Sequence, residues 1–316
     1  MIKPFLASLV SFILLFSQQA ALAQDVRLFS IGSGDVAGNY YPVARLLCEA
    51  FNASDDTWRR CSPEPSAGSL YNLETLRTGE VEFAIVQSDW LNAAFAGDIP
   101  FDSDTAMSDM RVVMPLFAET LTILAAPGSD ISAAIDLAGK TVDIGRPASG
   151  RNATIRALLE KLELPGDFFA NERQLEPYAS LKGLCERSID AAIFVLGHPS
   201  DLVSKAVNEC GAKIVPFAGD RISRFMEVTQ DYRVSKIDLT PYGFPNKQVP
   251  SLSVMATLVT RTTVEETLVK DLAAAIRLNT SNLAESFPVL GSLKRNVNAP
   301  VTMNVPVHPV LENGDY

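Results

Sequence analysis

The stretch VRLFSI-GSGDVAGN-YYPVARLLCEAFNA, residues 26–53, decides how this chain is read. Its first six residues form a short apolar run with strand character, which ends in the glycine loop Gly32 to Asn39. A helix is predicted directly after the loop, because Val43, Leu46, Leu47, Ala50 and Phe51 fall on one face at helical spacing. Pro42 suits its first turn, where a missing N–H costs nothing, and Asn39 is the expected cap.

The same order returns downstream. Ser62 to Glu64 is extended, Ser66-Ala67-Gly68-Ser69 is a loop, and Leu70 to Thr78 reads as a helix closed by Gly79. Phe83 to Val86 is a compact buried strand ending at Gln87-Ser88-Asp89, where Asp89 is placed to cap the next helix. Arg111 to Ala126 holds two apolar runs separated by Glu119 and Thr120, read as a strand pair leading from one lobe into another. A new unit follows with the strand Thr141 to Ile144, the loop Gly145 to Gly150 and a helix from Arg151 to Leu162. Ala191 to Leu196 is another strand, ending at Gly197-His198-Pro199. Residues 231–250 read as loop, Leu252 to Thr260 as a returning strand, Val264 to Phe287 as helix, and the tail from Asn296 as a surface wrap. Strand–loop–helix repetition implies an α/β fold with parallel sheets flanked by helices, whose ligands sit at the carboxyl ends of strands.

Composition narrows the function classes. The chain has 316 residues, 47% hydrophobic and 20% charged, which is globular and long enough for two domains. Its net charge of −10 opposes nucleic-acid binding. With only two histidines, His198 and His308, and four scattered cysteines, no metal site or cofactor is expected. Residues 1–23 have the form of a signal peptide: Lys3, the 12-residue apolar run Phe5 to Phe16, then Ala21-Leu22-Ala23 with cleavage before Gln24. The run is short of the ~20 residues that span a bilayer. Export to an oxidising compartment makes Cys48, Cys61, Cys185 and Cys210 candidates for disulfides. Three pairings are possible, and the sequential one is the most local.

Catalysis has little support, since neither G-x-S-x-G nor H-E-x-x-H occurs, and the protein is not expected to be an enzyme. The loop G-S-G-D-V-A-G is one residue longer than a dinucleotide fingerprint. Backbone N–H groups at a helix start can instead receive an anion, and glycines let it approach. Gly34 in the first loop and Ser149 and Gly150 in the second are such candidates. Arg151 could clamp a carboxylate through its bidentate fork or lie on the surface. Tyr40 and Tyr41 flank the first loop, one ring for the pocket and one for the core. Gln87 and Ser88 end a strand and can donate and accept in a cleft. His198 stands at a strand end with no identifiable partner as a base.

These segments resemble the TAXI group of extracytoplasmic solute receptors that serve TRAP-type transporters. The likeness runs through IGSGDVAGNYYP (31–42), SAGSLYNL (66–73), FAIVQSD (83–89), DLAGKTVDIGRPASG (136–150) and VLGHP (195–199). It implies a two-lobed type II periplasmic binding protein fold, each lobe a mixed sheet flanked by helices, with a hinge cleft between. Residues 24–117 and 261–316 would form one lobe and 118–260 the other. The implied function is periplasmic capture of a small organic anion, a glutamate-like amino acid or a dicarboxylate, by a monomer that delivers it to a TRAP permease. The implied ligand contacts are Tyr40, Tyr41, Ser69, Asn72, Gln87, Ser88, Ser149, Gly150 and His198. Asp35 and Arg151 depart from the group's pattern, which has glycine and threonine there. The alternative is an exported sensory or scaffold protein that uses the same fold to engage a membrane partner such as a histidine kinase.

Overall fold

The computed structural model describes residues 26–53, 58–98, 100–101, 106–293 and 303–312. The signal-peptide expectation for residues 1–23 lies outside them. In chain order the elements are β1 (Arg27–Gly32), α1 (Tyr40–Asn52), β2 (Arg59–Glu64), α2 (Ser69–Thr78), β3 (Phe83–Gln87), α3 (Ser88–Ala96) and β4 (Met110–Ala125). Then come β5 (Thr141–Asp143), α4 (Gly150–Lys161), β6 (Asn171–Arg173), α5 (Pro177–Cys185), β7 (Ala191–Leu196), α6 (Asp201–Asn208) and β8 (Lys213–Val215). The last are α7 (Asp220–Val228), β9 (Arg233–Asp238), β10 (Gln248–Arg261), α8 (Glu266–Leu278) and α9 (Thr280–Ser286).

One sheet runs in the order β2-β1-β3-β10-β4-β7-β5-β6, with β8 on β4 and β9 on β10. Its two ends are parallel: β1 with β2 and β3, and β5 with β6 and β7. Its middle is antiparallel, built on β4 and β10. At ~3.3 Å per residue, the 16-residue β4 reaches about 53 Å, enough to serve both halves. The expected strand pair at 111–126 is therefore one continuous strand. Pro115 is tolerated inside it because the register with β10 shifts between Ala256 and Thr257, so one ladder bond is already forfeited there.

The buried side chains divide along these two strands. Phe117 and Ala256 belong to a core built with α1 and α8, whereas Leu121 and Val254 belong to one built with α4. Two further clusters cover the opposite faces, one with Leu73 and Trp90, the other with Phe194 and Val203. Each half of the sheet is thus covered on both faces, as parallel strands require.

Several expectations are corrected. Residues 231–250 carry β9 and a short 3-10 turn, Thr240–Tyr242, rather than loop alone, because β9 gains a full register on β10. The helix expected over 264–287 breaks at Asn279 into α8 and α9. The tail does not merely wrap: Val307 bridges Val112, and Val305, His308 and Leu311 are buried. Asn39 makes no side-chain cap bond to α1, and Asp89 lies inside α3, where its Oδ1 accepts the neighbouring Trp90 N–H at 3.0 Å; both also reach across to the other half. Disulfides join Cys48 to Cys61 and Cys185 to Cys210.

Candidate functional site

Four helices begin around one cavity of about 130 Å³ between the halves: α1 at Tyr40, α2 at Ser69, α4 at Gly150 and α6 beside Ser200. Each follows a strand, so the sheet's carboxyl edges aim their N–H groups inward. At α4, Ser149 Oγ accepts the Asn152 N–H at 3.1 Å, which leaves the N–H groups of Gly150 and Arg151 without helical acceptors. Ser149 Oγ also donates to Arg146 O at 2.6 Å, so its side chain is spent on the loop.

Gln87 ends β3 at the cavity wall. Its Oε1 accepts from Ser69 Oγ at 3.4 Å, while its buried Nε2 has no partner among the described residues. A buried unpaired amide is costly unless a ligand meets it. Opposite stands Glu119, in the middle of β4. Tyr40 Oη donates to Glu119 Oε2 at 2.6 Å, and both side chains are buried. Among the described residues Glu119 has no cationic partner. Burial, offset in part by the Tyr40 hydrogen bond, pushes its carboxyl up to about 8, so it is mostly protonated at neutral pH. Burial, then the Glu119 charge, pushes the Tyr40 phenol well above its usual range.

The two halves touch around the cavity. Arg146 donates to Ser66 O at 3.0 Å and to Glu176 Oε1 at 2.6 Å, and lies 4.0 Å from Asp35. Gly197 N–H donates to Asn39 Oδ1 at 3.0 Å. Behind the cavity Trp90 Nε1 donates to Thr154 Oγ1 at 2.9 Å, which donates to Asp89 Oδ2 at 2.7 Å. Burial raises the Asp89 carboxyl to about 6. A Cβ added to Gly150 would overlap the Gln87 side chain, so only glycine allows this approach.

Of the sequence candidates, Gly34, Tyr40, Ser69, Gln87, Ser149, Gly150 and Arg151 line the cavity. The proposed carboxylate clamp by Arg151 is corrected. Its Nη2 donates to Asp143 Oδ2 at 2.5 Å, its Nε donates to Ile193 O, and its guanidinium lies 3.9 Å from the Phe194 ring centre. Burial lowers its pKa and Asp143 raises it in turn. The fork is occupied by its own half of the molecule.

Four candidates stand away from the lining. Asn72 is fully buried and donates to Ser33 O and Ile85 O, tying β1 to β3. Ser88 Oγ accepts the Met255 N–H, fixing β10. His198 hydrogen-bonds Thr122 and Tyr242, and burial holds its pKa down at about 4, so it stays neutral. Tyr41 is half-buried outside the lining. Sequence reasoning missed Glu119, Arg146 and Phe194. Glu119 carried a usable signal, a lone carboxylate inside a 16-residue strand of mostly apolar residues. Among the described residues no cluster of His, Cys, Asp and Glu could hold a metal, and no helix is long and apolar enough to cross a membrane.

The model of the NMT1-like family matches residues 31–310. The chain belongs to the NMT1-like family. This member is similar in structure to an ancestral arginine-binding protein bound to arginine, at 12% identity and TM-score 0.52, over 82% of this chain and 97% of that one. A structure from glutathione import by GshT and the cystine importer TcyBC of Streptococcus mutans matches at 10% identity and TM-score 0.50, over 84% and 95%. The periplasmic aliphatic sulphonate binding protein SsuA of Escherichia coli matches at 15% identity and TM-score 0.48, over 85% and 84%. The family member has the two-lobed type II periplasmic binding protein fold.

Proposed function

We propose that this NMT1-like protein is an exported solute receptor, not an enzyme, that closes its two lobes over a small acid and hands it to a membrane permease. The observation that carries this reading is the convergence of four helix starts and the unpaired Gln87 amide on one interlobe cavity. In this reading the ligand's carboxylate meets the N–H groups of Gly150 and Arg151 and the Gln87 Nε2.

Glu119 separates the amino-acid arm from the dicarboxylate arm by pH. A second carboxylate can accept a hydrogen bond only from its protonated form, whereas an ammonium group pairs with its ionised form, which has no other cationic partner among the described residues. An ammonium there lowers the Glu119 pKa, so binding releases a proton below about pH 8. Affinity for an amino acid should therefore rise as pH rises toward about 8, while that for a dicarboxylate should not. The hinge is proposed at Ala118–Thr120 of β4 and at Met255 of β10, where core membership changes, rather than at the 260/261 boundary read from the sequence. The TRAP type of permease rests on the sequence resemblance, and transport in vesicles holding the receptor and such a permease would test it.

A thermal-unfolding screen of amino acids and small carboxylates tests the receptor reading. A ligand at a hundredfold excess over Kd should stabilise by about 2.7 kcal/mol. If no acid in the panel shifts the unfolding temperature, the reading fails.

A further inference from the structure

The second lobe holds a cavity of about 530 Å³, some four times the volume of the interlobe cavity, that the solute reading does not use. It lies between α4, β4, β7 and α7. Its walls are aliphatic and aromatic, including Leu121, Leu158, Phe169 and Ile193, and among the described residues the only charged ones in its lining are Asp220 and Arg221 at the start of α7. Protein interiors pack at crystal-like density, so voids larger than a water are few. Dry apolar cavities accept apolar guests, and small-molecule sites commonly measure roughly 300–1,000 Å³.

The covering helix is built as a lid. None of the nine residues of α7 is buried, although Ile222 lines the cavity and Phe225 and Met226 rest on the core beside it. The helix follows Gly219 at φ 139°, a conformation open to glycine, with no atom within 4 Å of a would-be Cβ. Arg221 Nη1 donates to the carbonyls of Leu162 and Glu163 at 2.7 and 3.1 Å, tying the lid's first turn to the end of α4. A protein segment is too large an occupant, since two turns of helix, ~10 Å wide and ~11 Å long, need roughly 850 Å³.

We propose that this chamber is a second binding site, for a hydrophobic small molecule carrying an aromatic ring system or short hydrocarbon chain, with α7 as its lid. It is separate from the cleft but adjoins it: Ile193 lines the chamber while its carbonyl receives the Arg151 Nε–H beneath the cleft.

Titration of the full chain with the neutral dye N-phenyl-1-naphthylamine tests the site. The expected result is saturable, blue-shifted emission fitting one site per chain. Leu159→Trp fills the chamber from α4, and Ile222→Glu places a charge under the lid at a half-buried position whose loss spares the core. Each should weaken dye binding at least tenfold while the chain melts as a folded protein. An absence of saturable emission from the wild-type chain overturns the proposal. So does emission that survives both substitutions, which would put the dye on the surface.

Discussion

Arg151 and Asp143 form a buried pair in which the carboxylate is fully inaccessible and the guanidinium side chain is one-tenth exposed. Removing the arginine strands a charge that water cannot reach, and breaking such pairs costs about 3–5 kcal/mol. Arg151→Ala should therefore lower unfolding free energy by about 3 kcal/mol or more in urea denaturation; a loss below about 1 kcal/mol would return it to the surface role. The position of Arg151 at a loop–helix junction was legible in the sequence. Its partner was not, because nothing in the residue pattern says that the loop folds back so that residue 151 meets residue 143. Glu119 gives a second test. The folded chain holds its proton until about pH 8, against 4.5 for an ordinary glutamate, so over that interval the folded state binds the extra proton. Stability then falls as pH rises from about 4.5 toward 8, and Asp89 adds the same trend up to about 6. Glu119→Gln should flatten the unfolding temperature over the upper part of that range, read by thermal melts across pH. An unchanged slope would show that Glu119 ionises freely.

Elements with strong periodicity were legible in the sequence. The helices α1, α2 and α4 start and stop within a residue or two of their expected ends, because apolar spacing marks them and Gly79 closes α2. Short elements were not. The three-residue strands β6 and β8 owe their existence to neighbours, β6 to β5 and β8 to β4, and carry no period of their own. The extent of β4 was hidden by Glu119, which interrupts an apolar run in sequence yet pairs with Val254 of β10 inside one continuous strand. The Cys48–Cys61 bond joins α1 to β2 across a sequence separation of 13, and both sulfurs lie in the core. Replacing both cysteines by serine should cost about 3 kcal/mol, measured by denaturant unfolding. A variant as stable as the parent would mean that the loop is already held by the Asn52 bonds to Cys61.

At the scale of the molecule, two half-sheets share β4 and β10, and the helix starts of both halves face one gap. That gap is small here because the halves are drawn together by Arg146, Asn39 and the Trp90–Thr154–Asp89 chain. The sequence showed which loops lie at strand ends, and so much of the cavity wall. It did not show which side chains the closure would pair across the gap, since those contacts join residues 60 to 160 positions apart. Gly150 is where the halves come closest to the Gln87 amide, and it sits at the first turn of α4 without structural duty inside its own lobe. Calorimetric titration of the best acid from the screen into wild type and Gly150→Ala tests this account most directly. Capture by closure predicts that the alanine variant, whose Cβ would overlap Gln87 in the closed arrangement, still unfolds cooperatively as a folded protein yet binds at least tenfold more weakly; equal affinity in the two proteins would contradict it.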